Sequence, residues 1–378
     1  MSKIIVLGGG MIGKAMVADL CADYDVTCAD INTDVLKSIS EKLKLKTIPC
    51  DFSNLEQVKN VIAPFDLVIG AVPGFLGFNV LKAVIESGKN IVDISFFPED
   101  AFLLDELAKK NNVTAIVDCG IAPGLCNMMA GYHNQKMKLA SYKCLVGGLP
   151  VERKKPYEYK APFSPVDVLE EYTRPARYIE NGKLITKEAL SDVEQITFEE
   201  CGTLEYFNTD GLRSLMHTMP QVKNMIEKTL RYPGHANLMR LFRESGFFSK
   251  EKIKIRDAEV APIDLISKLL FKEWKYQPGE EDFTIMRVTL EGEDNKGEFK
   301  VVYTLYDRYN KETQTMSMAR TTGYTCTAAA RLVIENKFSR KGISPPEYIG
   351  EDENCFNAVV KHLEERKVIF NKEVLGNK

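Results

Sequence analysis

No run of apolar residues in this sequence is long enough to span a bilayer. The amino terminus, MSKIIVLGGG, lacks the charged, apolar and small-residue zones of a secretory leader and reads as the start of a strand. Charge of one sign is missing too. Fifty Lys and Arg face 53 Asp and Glu, a formal net charge of −3, which excludes the field a nucleic-acid binder would carry. The nine cysteines (Cys21, Cys28, Cys50, Cys119, Cys126, Cys144, Cys201, Cys326, Cys355) form no CxxC pair, and their odd number argues against a disulfide framework. The four histidines (His133, His217, His235, His362) show neither HExxH nor HxxxH spacing, so no metal is expected. These absences leave a water-soluble protein of the cytoplasm, and 378 residues are enough for two domains.

What is present is a regular alternation. IIVL, DVTCAD, LKTIPCD, DLVIGAV, NIVDIS and TAIVDC are short β-rich runs. Between them lie MIGKAMVADLC, TDVLKSISEKL, LEQVKNVI, FNVLKAVIESG and EDAFLLDELAKKN, which have helical period. Alternation of this kind predicts βαβ units and a parallel sheet covered on both faces, an α/β fold with a doubly wound sheet of Rossmann type. Right-handed crossovers then align the strands' carboxyl ends along one functional rim. After Asp118 the rhythm changes to longer, antiparallel-style strands with helices between them, an α+β region with an open mixed sheet. MRVTLEGEDNKGEFKVVYTLY predicts a hairpin turning at Asp-Asn-Lys-Gly. Helical pattern returns at TTGYTCTAAARLVIEN and NCFNAVVKHLEERK, with no linker to mark a boundary. The expected division is 1–122 with 320–378 as the dinucleotide-binding domain and 123–319 as the substrate-binding and dimerisation domain.

IIVLGGGMIG places Gly8, Gly10 and Gly13, with Met11 and Ile12, in a GxGxxG turn between the first strand and the first helix. Such a turn lets a pyrophosphate approach bare backbone at the positive end of a helix. A second strand ends in Asp30, at nearly the distance where an acid takes the ribose hydroxyls. Asp30 would repel a 2′-phosphate, and Ile31, Asn32 and Thr33 bring no cation to accommodate one. The pattern therefore predicts NAD, with NADP second. Asp51 and Phe52 are expected beside the adenine, and Ala71, Val72 and Pro73 beneath the second ribose and the nicotinamide. Asp93 and Asp118 end later strands and are the candidate catalytic carboxylates. Tyr206, Thr209, Arg231, His235 and Arg320 are candidates for holding a small-molecule substrate, since a carboxylate calls for a forked donor near a turn.

These stretches resemble the saccharopine dehydrogenase superfamily, most closely its short lysine 6-dehydrogenase branch. The resemblance runs through GGGMIG, VDISFFPED, DCGIAPGLCNMMAG, VGGLPVERKKPYEYKAPFSP, EEYTRPARYIENGK, YFNTDGLRS, LRYPGHANLMRLFRESGFF and ARTTGY…KGISPPE. It implies a Rossmann domain, a homodimer formed through the sheet of the second domain, and NAD(P)-linked oxidation of a carbon bearing nitrogen. On that basis the expected activity is L-lysine 6-dehydrogenation, giving 2-aminoadipate 6-semialdehyde. The alternatives are a glutamate-forming saccharopine dehydrogenase, a carboxynorspermidine-type dehydrogenase, and a non-catalytic NAD(H) sensor. In relatives acting on saccharopine, the segment corresponding to FSPVDVLEEY commonly carries an arginine where Val166 stands here.

Overall fold

A computed structural model describes residues 1–295 and 297–376. The chain divides into two units, Met1–Met137 with Ala319–Ile369, and Lys138–Met318 with Phe370 to the end. The division differs from the expected one in two places. Helix Leu125–Asn134 belongs to the first unit, and the final strand, Phe370–Gly376, belongs to the second.

The first unit begins with strand β1 (Lys3–Leu7), buried from Ile4 onward, and helix α1 (Met11–Leu20). There follow β2 (Asp25–Asp30), α2 (Thr33–Leu43), β3 (Lys46–Pro49), α3 (Leu55–Ile62), β4 (Leu67–Gly70), α4 (Gly74–Glu86), β5 (Asn90–Asp93) and β6 (Thr114–Ile116). The strands pair in the order 3-2-1-4-5-6, with Gly342–Ser344 beside β6, and every pairing is parallel. Ile4, Ile5, Val6, Leu67, Val68, Ile69, Ile91 and Val92 are almost wholly buried, as strands covered on both faces must be. Each such side chain contributes about 1.5–3 kcal/mol by leaving water. This is the Rossmann order, and it reverses direction between β1 and β4, where ligands of such sheets sit.

One polar cluster ties helices of this unit together. Asp19 of α1 meets Arg366 and His362, and Arg331 of helix Ser317–Ile334 lies beside it. Burial works to raise the Asp19 carboxyl, but hydrogen bonds from His362 and Thr327 and the charges of His362 and Arg366 outweigh it and hold it at about 2. A carboxyl depressed in the folded state stabilises above its ordinary range, near 4, and loses that contribution as pH falls towards 2. Asp19→Ala should therefore cost about 3 kcal/mol at neutral pH, since it strands a largely buried Arg366. In urea melts the deficit should shrink below pH 4, and a pH-independent deficit would remove the ion pair as its cause.

The second unit is built on a nine-stranded mixed sheet. Its path runs Glu194–Phe198, Gly202–Asn208, Asn224–Arg231, Lys138–Pro150, Asp282–Asp294, Gly297–Arg308 and Phe370–Gly376, and off it Ala176–Glu180 pairs with Asn224–Arg231 and with Lys183–Lys187. The expected antiparallel style holds except at one place: Asn224–Arg231 lies parallel to Lys138–Pro150. The chain between them includes helix Pro165–Thr173, so a crossover replaces a hairpin. The hairpin of Asp282–Asp294 with Gly297–Arg308 is present in full register; Lys296 of its expected turn lies outside the described residues. Among the described residues, no helix is long and apolar enough to cross a membrane.

Candidate functional site

At the carboxyl rim of the parallel sheet, β1 ends and the chain turns through Gly8, Gly9 and Gly10 into α1. Gly8 has φ +111°, a conformation L side chains rarely adopt. A Cβ on Gly8 would also strike the carbonyl of Ala71, and one on Gly13 would strike the carbonyl of Gly8. These two glycines let β1, α1 and the end of β4 approach one another. Gly10 is different: nothing lies within 4 Å of where its Cβ would stand, so its outward side is open.

The start of α1 differs from the starts of α2 and α3. Asn32 caps α2, Asn54 caps α3 and Asp352 caps helix Glu353–Glu365, each by accepting backbone N–H groups. The N-cap of α1 is Gly10, which has no side chain to accept, and its first turn has no acid. Helix α4 begins likewise after Pro73, with no side-chain cap and no acid in its first turn. At both of these helix starts, at adjacent strand ends, the N-cap residue itself supplies no side-chain acceptor.

Asp30 closes β2 with both carboxylate oxygens in use. Oδ2 accepts the Gly9 N–H at 2.6 Å and Oδ1 the Asn32 N–H at 2.8 Å. The acid therefore fixes the glycine turn from the side. Asp51 accepts the Ser53 N–H (2.9 Å) and hydroxyl (2.7 Å), and those bonds lower its carboxyl below the usual range. Phe52 differs from expectation: its ring belongs to the hydrophobic core beside Val58 and Val72, so it does not stand free for an adenine. Ala71 and Pro73 are half-buried and Val72 is buried in the same core. Met11 and Ile31 lie exposed at this rim.

Asp93 ends β5 and Asp118 lies just beyond the neighbouring β6, with Val92 beside Ile116 in register. Both side chains are buried. Asp93 accepts the Ser95 hydroxyl at 2.9 Å and the Ser95 N–H at 3.2 Å. Asp118 adopts φ +53°, a left-handed conformation uncommon outside glycine but one that Asp and Asn tolerate best. Outliers of this kind gather at functional sites.

The remaining candidates fall into two groups. In the second unit, Arg231 is buried, and its guanidinium bonds Glu171 (2.8 Å), Tyr172 (3.2 Å), the Leu230 carbonyl (2.9 Å) and Tyr159 (3.4 Å). His235 meets the Tyr172 hydroxyl at 2.9 Å; burial and then the Arg231 cation push it down to about 3, so it stays neutral. Tyr206 donates to Glu194 at 2.8 Å, and Thr209 shares a hydrogen bond with Thr229. Arg320, in the first unit, bonds the carbonyls of Arg366 and Lys367 at the end of helix Glu353–Glu365. Arg231 and Arg320 were expected as open forks for a carboxylate, and both guanidinium groups are engaged within the chain. The sequence reading missed Glu171, Tyr172 and Ser95. Only Ser95 left a local signal, the Asp-x-Ser spacing of VDIS.

Residues 4–116 match the saccharopine dehydrogenase NADP binding domain, and residues 120–369 match the saccharopine dehydrogenase C-terminal domain. The chain belongs to the saccharopine dehydrogenase family. Its first unit thus carries a pyridine-nucleotide-binding family domain, although NAD is not favoured over NADP by that match. Among curated relatives, saccharopine dehydrogenase [NADP(+), L-glutamate-forming] of Saccharomyces cerevisiae is 23% identical over 98% of each chain. The mitochondrial alpha-aminoadipic semialdehyde synthase of Bos taurus is 22% identical over 91% of this chain and 45% of that protein. The chain spans about half the length of that relative and of its rat and mouse counterparts. The solved structure of apo saccharopine dehydrogenase (L-Glu forming) from S. cerevisiae superimposes with a TM-score of 0.79 at 19% identity, covering both chains fully, which shows the shared fold.

Proposed function

We propose that the chain is a pyridine-nucleotide-dependent oxidoreductase acting on an amino-acid C–N bond, with L-lysine as substrate and NAD as coenzyme. The observation that carries this reading is the end of the first βαβ unit. A helix start whose N-cap, Gly10, has no side chain to accept its N–H groups stands beside Asp30, which grips the glycine turn through the Gly9 N–H. A diphosphate would satisfy the first and a ribose diol the second. When bound, the coenzyme supplies the hydride acceptor. The protein's own task is to neutralise the amine, because an ammonium group has no lone pair to assist loss of hydride from its carbon. Asp118 is our proton acceptor, on its address at the rim and its strained backbone. The resulting imine is hydrolysed to ammonia and 2-aminoadipate 6-semialdehyde.

Tyr206, Thr209 and His235 remain our orienting groups in the second unit. Arg231 supports them by fixing Tyr172, and thus His235, through the bonds described above. A homodimer formed through this unit goes with the reading, as does action in the cytoplasm; light scattering of the purified chain tests the dimer. A second reading, glutamate-forming saccharopine oxidation, is favoured by the name of the yeast relative that matches over nearly its whole length. The two are separated by recording reduced nicotinamide formed from lysine, then from saccharopine, at alkaline pH. Turnover of lysine alone is expected. Turnover of saccharopine alone would replace the first reading by the second, and tight NAD binding with neither reaction would make the chain a sensor.

A further inference from the structure

Of the two buried rim carboxylates, Asp93 is placed to shape the turn after β4. Gly70, the last residue of β4, pairs in register with Asp93. A Cβ on Gly70 would collide with the Asp93 carboxylate, so the acid lies directly against the end of that strand. The Ile94 N–H donates to the Gly70 carbonyl at 3.0 Å and holds the same junction from the backbone side. Both carboxylate oxygens accept from Ser95, one from the hydroxyl and one from the N–H. Ser95 in turn lies against α4: a Cβ on Gly77 would stand 2.7 Å from the Ser95 Cβ and 2.8 Å from the Phe97 ring. Asp93 and Ser95 therefore bracket residues 71–76, one at the strand end and one at the second helical turn. That span contains Ala71, Val72, Pro73 and the start of α4.

We propose that Asp93 is a positioning residue: acting with Ser95, it sets the turn between β4 and α4 that carries the reactive half of the dinucleotide. The inference rests on the functional reading above and assigns the proton-accepting role to Asp118 alone. A carboxylate that accepts two hydrogen bonds from one serine is shaped to hold that serine. A proton acceptor would need an oxygen directed at the substrate.

Ser95→Ala deletes one oxygen and leaves the Asp93 carboxylate in place, so it separates the two roles. If Asp93 positions the turn, Ser95→Ala and Asp93→Asn should each weaken binding of the reduced dinucleotide, read by its fluorescence, by roughly 5- to 30-fold. The double variant should be little worse than either single one, because the residues act as a unit. The acid limb of the pH profile of kcat/KM should persist in both. If Asp93→Asn abolishes turnover and that limb while Ser95→Ala behaves as wild type, Asp93 is the proton acceptor and the proposal fails. Unchanged dinucleotide binding in both variants also overturns it. Should Asp93→Asn not fold, Ser95→Ala with a measured melting temperature decides alone. Wild-type protein that binds no dinucleotide would remove the functional reading and this inference together.

Discussion

Asp118→Asn should lower kcat by about a hundredfold to ten-thousandfold with little change in stability. The range is what a positioned general base contributes. Stability should hold because the backbone at this residue has φ +53°, and Asn tolerates that region as well as Asp does. The substitution therefore removes the negative charge and leaves the turn. Asp118→Ala provides the contrast, since it loses the charge and also the short polar side chain that makes the left-handed conformation tolerable, at about 1 kcal/mol. Both variants should be slow, but only the alanine should melt early. A kcat for Asp118→Asn within threefold of wild type would exclude Asp118 as the proton acceptor. Dinucleotide binding, followed separately, should be nearly unchanged in Asp118→Asn; a parallel loss would mean the residue shapes the coenzyme site instead.

The second large effect is expected at Asp30. Its carboxylate accepts the Gly9 and Asn32 N–H groups, and these bonds join the glycine turn to the start of α2. Asp30→Ala leaves both donors unpaired and removes the acceptor for ribose hydroxyls. NAD binding should weaken by roughly 10- to 100-fold, the range for lost hydrogen bonds to a charged group. Asp30→Asn isolates the charge, since its amide oxygen can still accept one of the two N–H groups. It should bind NAD moderately less well and bind NADP better than wild type does, because a 2′-phosphate no longer meets an anion. The ratio of the two dissociation constants, measured for all three proteins, is the test. A wild-type preference for NADP, the coenzyme named in the fungal relatives, would remove the assignment of NAD selectivity to Asp30.

The two residues differ in how much of their setting is local in sequence. Asp30 closes a unit whose parts are near one another: a strand, a glycine turn, a helix and a second strand at fixed spacing. The ends of α2 and α3 were equally plain, because Asn32 and Asn54 cap helices that begin at the next residue. Phe52 was misjudged because an aromatic residue at a strand end reads the same whether its ring faces ligand or core. Asp93 and Asp118 were indistinguishable as letters, each an acid closing an apolar run. That Ser95, two residues beyond the first, donates to it twice is seen only in the folded chain.

The second unit shows the same limit more sharply. Arg231 looked like an open fork beside Tyr-Pro-Gly, but its counterion, Glu171, lies 60 residues earlier. Arg320 was read as a forked donor near a turn, and it bonds the carbonyls at the end of another helix, 46 and 47 residues on. The parallel pairing of Lys138–Pro150 with Asn224–Arg231 was likewise outside what periodicity reports, since alternation has no direction.

What the sequence by itself determined was therefore the α/β class, the order of strands and helices in the first unit, and the glycine turn with its acid. Those depend on period, caps and short spacings, all local properties of the chain. Tertiary structure alone decided which carboxylates and guanidinium groups are engaged inside the protein. Hydrogen bonds and ion pairs form between groups that folding brings within about 3 Å, and separation along the chain carries no information about that distance.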